Sequence, residues 1–192
     1  KGHYIGGGVA DVMLHVPYDA EFGRRNDQVK LIAPYYREQI VVTVDSKYEQ
    51  KEDPLDLFTR EKVGVELDTL SDFYLLSAYQ GKIRPNVVHY KNPQEAISAL
   101  LRGELAGVMG PRSEIEKGLG DKADNYRTGP LQLPGLRQSG WDLGSAVKAS
   151  NTELVSAVEN AMTQLRVSGE LEKIFKQHGI TYQLPSRVKL AY

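Results

Sequence analysis

The sequence contains no cysteine, and its 24 lysine and arginine residues nearly balance its 25 aspartate and glutamate residues. The lack of cysteine excludes a disulfide framework, a thiolate metal site and a cysteine nucleophile. A net charge of −1 gives no broad attraction to nucleic acid or to anionic membranes. No apolar run approaches the ~18 residues needed to cross a bilayer. We therefore expect a soluble chain that neither binds nucleic acid nor is embedded in a membrane.

The short motifs that mark catalytic and metal sites are also missing. We find no nucleophile elbow, phosphate-binding loop or metal triad. The four histidines, at positions 3, 15, 89 and 178, have no paired spacing suited to zinc, and we interpret them as surface or satisfied core residues. These absences predict a protein that is not an enzyme and that needs no cofactor or metal.

The middle of the chain alternates between short apolar runs and segments with helical spacing. Strands are predicted at residues 63–67, 87–90 and 106–109, and a helix that begins at Pro93 is expected to stop at Gly103. Two more helices are predicted at residues 152–167 and 170–178. Such alternation is typical of an α/β fold with βαβ crossovers and a mostly parallel sheet. On the first of the two later helices the residues expected to face inward are Leu154, Val155, Val158, Ala161, Met162 and Leu165.

Three stretches, taken in order, resemble the type II periplasmic solute-binding proteins, the amino-acid receptors of ABC transporters. The first is A-D-V-M-L at residues 10–14, followed by P-Y-Y at residues 34–36. The second is V-G-V-E-L-D-T at residues 63–69, with the helix pattern A-x-x-A-L-x-x-G-E at residues 96–104. The third pairs the strand at residues 141–147 with L-x-x-x-G-x-L-x-x-I-F-x-x-x-G at residues 165–179.

The resemblance implies an α/β fold of the periplasmic binding protein-like II class, with two lobes of mostly parallel sheet joined by two hinge strands. Residues 1–38 and 140–192 would form lobe one, and residues 39–139 would form lobe two. Family members have a strand, a loop and a helix before the first matched stretch, so lobe one is expected to be incomplete at its N-terminal side. The expected hinge residues are Tyr36, Arg37, Gly140 and Trp141.

The same resemblance implies candidate ligand contacts in lobe one. Arginine suits a ligand carboxylate because its planar fork can donate two parallel hydrogen bonds. Arg24 and Arg25 follow the first matched strand, and either matches the family's carboxylate-binding arginine. The alternative is that both are solvated surface residues. Tyr18, near the end of the same strand, is a candidate for stacking on a ligand.

In lobe two, a helix that begins near Leu70 is expected to offer backbone N–H groups to an anion, with Thr69 and Ser71 as hydroxyl donors. Asp68 would either cap this helix or repel an anionic ligand, and we expect the cap. Family members commonly hold an ammonium group with an aspartate after the strand at residues 106–109. This chain has G-P-R there, so that Arg112 brings a base instead. That change argues against an ordinary α-amino acid and permits an anionic or neutral ligand, or none.

The leading hypothesis is therefore a periplasmic solute-binding protein that captures a small ligand by hinge closure and delivers it to the membrane subunits of an ABC importer. A second hypothesis is an accessory protein of the same fold. The P-Y-Y-R at residues 34–37 also resembles receptor-like proteins that accompany quinoprotein methanol or alcohol dehydrogenases, whose partner would be a periplasmic dehydrogenase. A catalytic member of the family, such as a cyclohexadienyl dehydratase, is the third hypothesis, and the missing acid–base constellation argues against it.

Overall fold

The computed structural model describes residues 10–130, 133 and 139–186. The chain divides into two compact units. The first unit comprises Lys1–Glu38 and Gly140–Tyr192, and the second comprises Gln39–Ser139. The long strand β2 runs from the first unit into the second, so each unit contains part of it.

Seven strands and seven α-helices account for most of the described residues. The strands are β1 Val12–Pro17, β2 Val29–Asp45, β3 Val63–Glu66, β4 Val87–Tyr90, β5 Gly107–Pro111, β6 Tyr126–Gly129 and β7 Gly140–Lys148. The helices are α1 Ala20–Arg25, α2 Pro54–Leu57, α3 Leu70–Ser77, α4 Pro93–Leu101, α5 Arg112–Leu119, α6 Thr152–Val167 and α7 Glu170–Gln177. Short 3₁₀ turns follow α3, precede β4 and connect α5 to β6.

The first unit is built on β7, which pairs antiparallel with β1 on one side and neighbours β2 on the other. A β-carbon at Gly144 would lie 2.7 Å from the backbone oxygen of Ile32, so glycine is what permits this close approach of β7 and β2. Helices α6 and α7 cover a cluster around Tyr36, which is fully buried. The Tyr36 and Phe175 rings stack with centroids 4.4 Å apart.

In the second unit, β3 lies parallel to both β4 and β5, while β5 and β6 pair antiparallel with β2. Helices α4 and α5 pack together over this sheet through Ile97, Leu100 and Ile115, all of which are buried. Because β3, β4 and β5 run in the same direction, their carboxyl ends meet at one edge of the sheet. The helices that follow β3 and β5 begin at this edge.

The structure confirms the α/β fold class, but the sheets are mixed rather than mostly parallel. The pairs β3–β4 and β3–β5 are parallel, whereas β1–β7, β2–β5 and β2–β6 are antiparallel. The family resemblance implied mostly parallel sheets in both lobes, whereas the strand–helix alternation that favours parallel pairing occupies only the middle of the chain. Strand β6 was not predicted from the sequence.

Helix α6 forms at the predicted residues, but its apolar face is less covered than expected. Val155 is buried, whereas Leu165 is 36% exposed and Ala161 is also exposed. Periodicity identifies the apolar face of a helix and does not reveal what packs on it. Within the described part of the chain, no helix is both long and apolar enough to cross a bilayer.

Candidate functional site

The candidate site in the second unit lies where β3 and β5 end side by side. Their parallel register places Val63 opposite Gly107 and Gly64 opposite Val108. Continuing this register brings the starts of α3 and α5 to the same edge of the sheet. Three of the residues predicted from the sequence, Thr69, Ser71 and Arg112, belong to these two helix starts.

Thr69, and not Asp68, caps α3. The Thr69 hydroxyl accepts from the N–H of Asp72 at 3.3 Å and donates to the backbone oxygen of Glu66 at 2.7 Å. Asp68 has a φ of 60° and donates its N–H to the Asp72 carboxylate at 2.9 Å. The expectation that Asp68 forms the cap is therefore wrong, and the Thr69 hydroxyl already has a backbone acceptor for its proton.

Ser71 and the N–H groups at the start of α3 are the available donors. Ser71 is only 4% exposed. Within the described part of the chain, no hydrogen-bond partner meets the Ser71 hydroxyl or the backbone N–H groups of Leu70 and Ser71. Free N–H groups in the first turn carry the positive end of the helix dipole. This turn can therefore hold a small anionic group.

Arg112 is the first residue of α5 and its side chain is 21% exposed. Its Nε atom is buried and makes no hydrogen bond within the described residues. The Nε atom lies 3.8 Å from Oε1 of Glu116, one turn further along the helix. A cation at a helix N-terminus opposes the helix dipole, and a buried donor without an acceptor costs further free energy. An anion bound here would relieve both.

Two acidic residues at this edge were missed in the sequence. Glu66 ends β3 and Glu114 lies in the first turn of α5. Burial raises the pKa of the Glu66 carboxyl, and the negative charge of Glu114 raises it further. Gln94, in the first turn of α4, donates to the Glu114 carboxylate. The sequence signal was weak, because Glu66 lies near the end of one predicted strand and Glu114 follows the end of another by five residues. Charged residues at such positions are common.

His89 and Asp72 form a second contact that the sequence did not indicate. Nε2 of His89 donates to Oδ1 of Asp72 at 2.7 Å, and Asp72 is 2% exposed. The interpretation of His89 as a residue without a ligand role is compatible with this pairing. Among the described residues, no group of three or more histidine and acidic side chains is arranged to hold a metal ion.

The candidates in the first unit lie on and before α1. Arg24 and Arg25 are exposed in its last turn, and Arg25 is 3.8 Å from Glu21. Cations are favourable at a helix C-terminus, so this helix gives both arginines a structural reason to be present. Tyr18 is partly buried and donates its N–H to the backbone oxygen of Asp142 at 2.8 Å. The ligand contacts predicted for these three residues remain predictions.

The predicted hinge residues adjoin the boundaries between the two units. In the first unit, Arg37 Nη1 donates to Oδ1 of Asp142 at 3.0 Å. A β-carbon on Gly140 would lie 3.1 Å from Arg37 Nη2, so β7 starts close against that guanidinium. Tyr36 and Trp141 belong to the apolar cluster under α6 and α7. Contacts within the first unit thus explain why these four residue types occur at these positions. Their role as a hinge stays a prediction.

Two curated proteins of Escherichia coli K12 are similar to this chain in sequence, whereas no family model matches it. The putative ABC transporter arginine-binding protein 2 is 26% identical over 154 residues, which is 80% of this chain. The ABC transporter arginine-binding protein 1 of the same organism is 26% identical over 158 residues. The chain spans about 60% of the length of these curated relatives.

Solved structures give the same picture of the fold. An ancestral cationic amino-acid solute-binding protein superposes with a TM-score of 0.72 at 16% identity, covering 93% of this chain and 73% of that protein. The GluR0 ligand-binding core in complex with L-glutamate gives a TM-score of 0.64 at 16% identity, with 92% and 75% covered. A histidine kinase sensor domain with similarity to periplasmic binding proteins gives 0.61, with 96% and 75% covered.

The chain therefore has the periplasmic binding protein-like α/β fold. Within that fold it is related to the type II solute-binding proteins of ABC transporters, and the resemblance found in its sequence is confirmed. Both Escherichia coli relatives are binding proteins by name. They give no support to the accessory role beside a quinoprotein dehydrogenase.

Proposed function

We propose that this chain is the ligand-binding part of a periplasmic receptor that delivers a small carboxylate-bearing molecule to the membrane subunits of an ABC importer. Residues 1–38 with 140–192 would act as one lobe and residues 39–139 as the other, closing around the ligand by bending near Tyr36, Arg37, Gly140 and Trp141. The arginine-binding proteins related in sequence support a binding role rather than a catalytic one.

The observation that carries the proposal is the state of Arg112. Its side chain is mostly buried at a helix N-terminus, where the charge opposes the dipole, and within the described residues its buried Nε lacks a hydrogen-bond acceptor. The ion pair with Glu116, at 3.8 Å, is too long to supply that acceptor. A ligand carboxylate at Arg112, Ser71 and the N–H groups at the start of α3 would supply it.

The class of ligand follows from charge at the same edge. The positive charge of Arg112 favours an anionic group. The aspartate that commonly binds the ammonium group of an amino acid in this family is not present at the corresponding position of this chain. Glu66 and Glu114 nevertheless bring two carboxyl groups to this edge, so they offer an alternative partner for an ammonium group. We therefore propose a carboxylate ligand whose second group is anionic or neutral, with a zwitterionic amino acid as the competing possibility.

Isothermal titration calorimetry with a fixed panel tests the proposal. The panel contains L-glutamate, L-aspartate, succinate, L-glutamine, L-lysine and L-arginine. We expect saturable heat with at least one dicarboxylate, together with a rise in melting temperature that grows with its concentration. Binding of L-arginine or L-lysine alone would overturn the ligand class and retain the receptor. The absence of both heat and melting shift across the panel would overturn the receptor function.

A further inference from the structure

We propose that Asp72 and His89 form a positioning pair behind the start of α3, and that protonation of His89 strengthens anion binding at this helix start. The ligand arm of this inference rests on the proposed function, whereas the pair and its effect on the helix start do not. Asp72 and His89 would touch no ligand. They would act through the backbone of residues 68–71.

The geometry links the imidazole to the loop through one carboxylate. Asp72 Oδ1 accepts from Nε2 of His89 at 2.7 Å, and its Oδ2 accepts from the N–H of Asp68 at 2.9 Å. The N–H of Asp72 is itself bound by the Thr69 cap at 3.3 Å. The Asp72 carboxylate therefore holds the Asp68 end of the turn that presents the N–H groups of Leu70 and Ser71, and the Thr69 hydroxyl holds its Asp72 end.

This turn needs such support because Asp68 adopts a left-handed backbone conformation. A φ of 60° is unfavourable for residues other than glycine, although aspartate tolerates it better than most. The hydrogen bond from the Asp68 N–H to Asp72 compensates for part of that cost. Without the contact to Asp72 the turn would adopt several conformations. The N–H groups of Leu70 and Ser71 would then no longer point in one fixed direction.

Charge makes the pair sensitive to pH. Asp72 is 2% exposed and sits in the first turn of α3, so its negative charge opposes a second anion at the same helix start. Histidine ordinarily changes charge between about pH 5 and 8. The His89 side chain is 34% exposed, so it can exchange a proton with water. Its protonated form compensates the Asp72 charge while keeping the hydrogen bond.

The effects of other charged groups near β4 have to be distinguished from the effect of His89. The elements that pack against β4 are β3, α3 and α4, and a 3₁₀ turn precedes it. Burial raises the pKa of Glu66, which lies opposite Tyr90 on β4, so Glu66 is the one competing group that calls for its own variant. The charged groups that these elements and the neighbouring residues contribute are Glu66, Asp68, Asp72, Arg84, Lys91 and Glu95.

Nuclear magnetic resonance on the ligand-free protein tests the pair without any ligand. The imidazole resonances of His89 and the backbone amide resonances of Leu70 and Ser71 are followed from pH 5 to 8.5. We expect all three residues to titrate with one midpoint. The amide of the introduced glutamine in His89→Gln can still donate to Asp72. In this variant the chemical shifts of Leu70 and Ser71 should no longer change over this pH range, and they should remain well dispersed, as expected for a folded protein.

Two control variants make the result specific. His178→Gln removes a histidine whose Nδ1 contacts the backbone oxygen of Ile174 in the other unit, and should leave the Leu70 and Ser71 transition unchanged. Glu66→Gln should also preserve it. If the transition survives in His89→Gln, or disappears in Glu66→Gln, the inference is wrong. This outcome does not depend on whether the protein binds a solute.

The ligand arm uses L-glutamate, whose net charge is constant between pH 6 and 8. We expect its affinity to be roughly fivefold higher at pH 6 than at pH 8 in the wild type, and equal at the two pH values in His89→Gln. An equal pH dependence in both proteins would overturn the coupling. If L-glutamate does not bind at all, the coupling to binding of this ligand is wrong, and the amide titration alone decides the inference about the pair. The proposed ligand class is decided separately, by the full calorimetry panel.

Discussion

Arg37 and Asp142 join the two strands of the first unit that adjoin the boundary with the second. Arg37 Nη1 donates to Oδ1 of Asp142 at 3.0 Å. Ser186 donates to the same carboxylate twice, from its N–H to Oδ1 and from its hydroxyl to Oδ2, both at 3.0 Å. The backbone adds a fourth hydrogen bond, because the N–H of Arg37 donates to the oxygen of Gln183 at 2.9 Å. The chain after α7 is thus tied to β2 and β7.

We predict that Asp142→Asn destabilises the protein by about 1–3 kcal/mol at pH 7, because hydrogen bonds to a buried carboxylate are lost or weakened. Burial raises the pKa of Asp142, but the hydrogen bonds from Ser186 and Arg37 outweigh this and hold it below its ordinary value. The stabilisation is therefore fully present above about pH 4 and is lost as the pH falls through the lower folded pKa.

Urea denaturation at pH 7, 5 and 3 measures this effect. The difference between wild type and Asp142→Asn should be similar at pH 7 and pH 5 and smaller at pH 3. Asp11→Asn, at an exposed position of the same unit, is the matched control and should change the free energy of unfolding by less than about 0.5 kcal/mol. A difference that grows toward pH 3 would contradict the assigned direction.

Gly107 and Gly110 give a matched pair within β5. A β-carbon on Gly107 would lie 2.5 Å from the backbone oxygen of Thr43 and 2.8 Å from the Phe58 ring, whereas one on Gly110 would meet no described atom within 4 Å. We predict that Gly107→Ala costs about 2–3 kcal/mol through overpacking. Gly110→Ala should lie within about 0.5 kcal/mol of wild type. Equal urea midpoints for the two variants would show that the sheet yields at Gly107.

The helices with clear start and stop signals were the most predictable part of the fold. Helix α4 forms at Pro93–Leu101, where Asn92 caps the first turn through the N–H of Glu95. Helix α6 forms at Thr152–Val167, as its periodicity indicated. The antiparallel pairs were missed because β-strand patterning in sequence reports burial and not the direction of the neighbouring strand.

The candidate site was only partly accessible from sequence. Asp68 and Thr69 are both good capping residues, and the choice between them depends on the backbone dihedral of Asp68, which composition does not reveal. The contact between Asp72 and His89 joins α3 to β4, and it exists because β4 pairs with β3. Arg112 was found from its position after a strand, but its missing acceptor is a property of the packing.

Phe175 is expected to be the main aromatic support of the first unit. Its ring stacks on Tyr36 at 4.4 Å and lies 5.4 Å from the Tyr182 ring. We predict that Phe175→Ala destabilises the protein by about 2–4 kcal/mol, through lost burial and lost ring contacts. Ile174→Ala, at a neighbouring position that is 43% exposed, should cost less than about 1 kcal/mol in the same denaturation experiment. Similar losses for both would rule out a special role for the stack.

Arg112 should separate binding from stability. We predict that Arg112→Gln weakens binding of the carboxylate ligand about 10- to 100-fold, because a charge-assisted hydrogen bond is lost. The variant should unfold at the same urea concentration as wild type or slightly higher, since a cation opposed to the α5 dipole is removed. Calorimetry with the dicarboxylate that binds best and urea denaturation give the two numbers.

The control for Arg112 is another arginine of the second unit. Arg102 is exposed and makes two hydrogen bonds with the Glu104 carboxylate, at 2.9 and 3.1 Å. Arg102→Gln removes the same charge from the same unit, so it should leave ligand affinity within about twofold of wild type, as expected for a solvated surface pair. If both variants weaken binding equally, the effect comes from net charge. If neither does, the ligand carboxylate is not held at the start of α5.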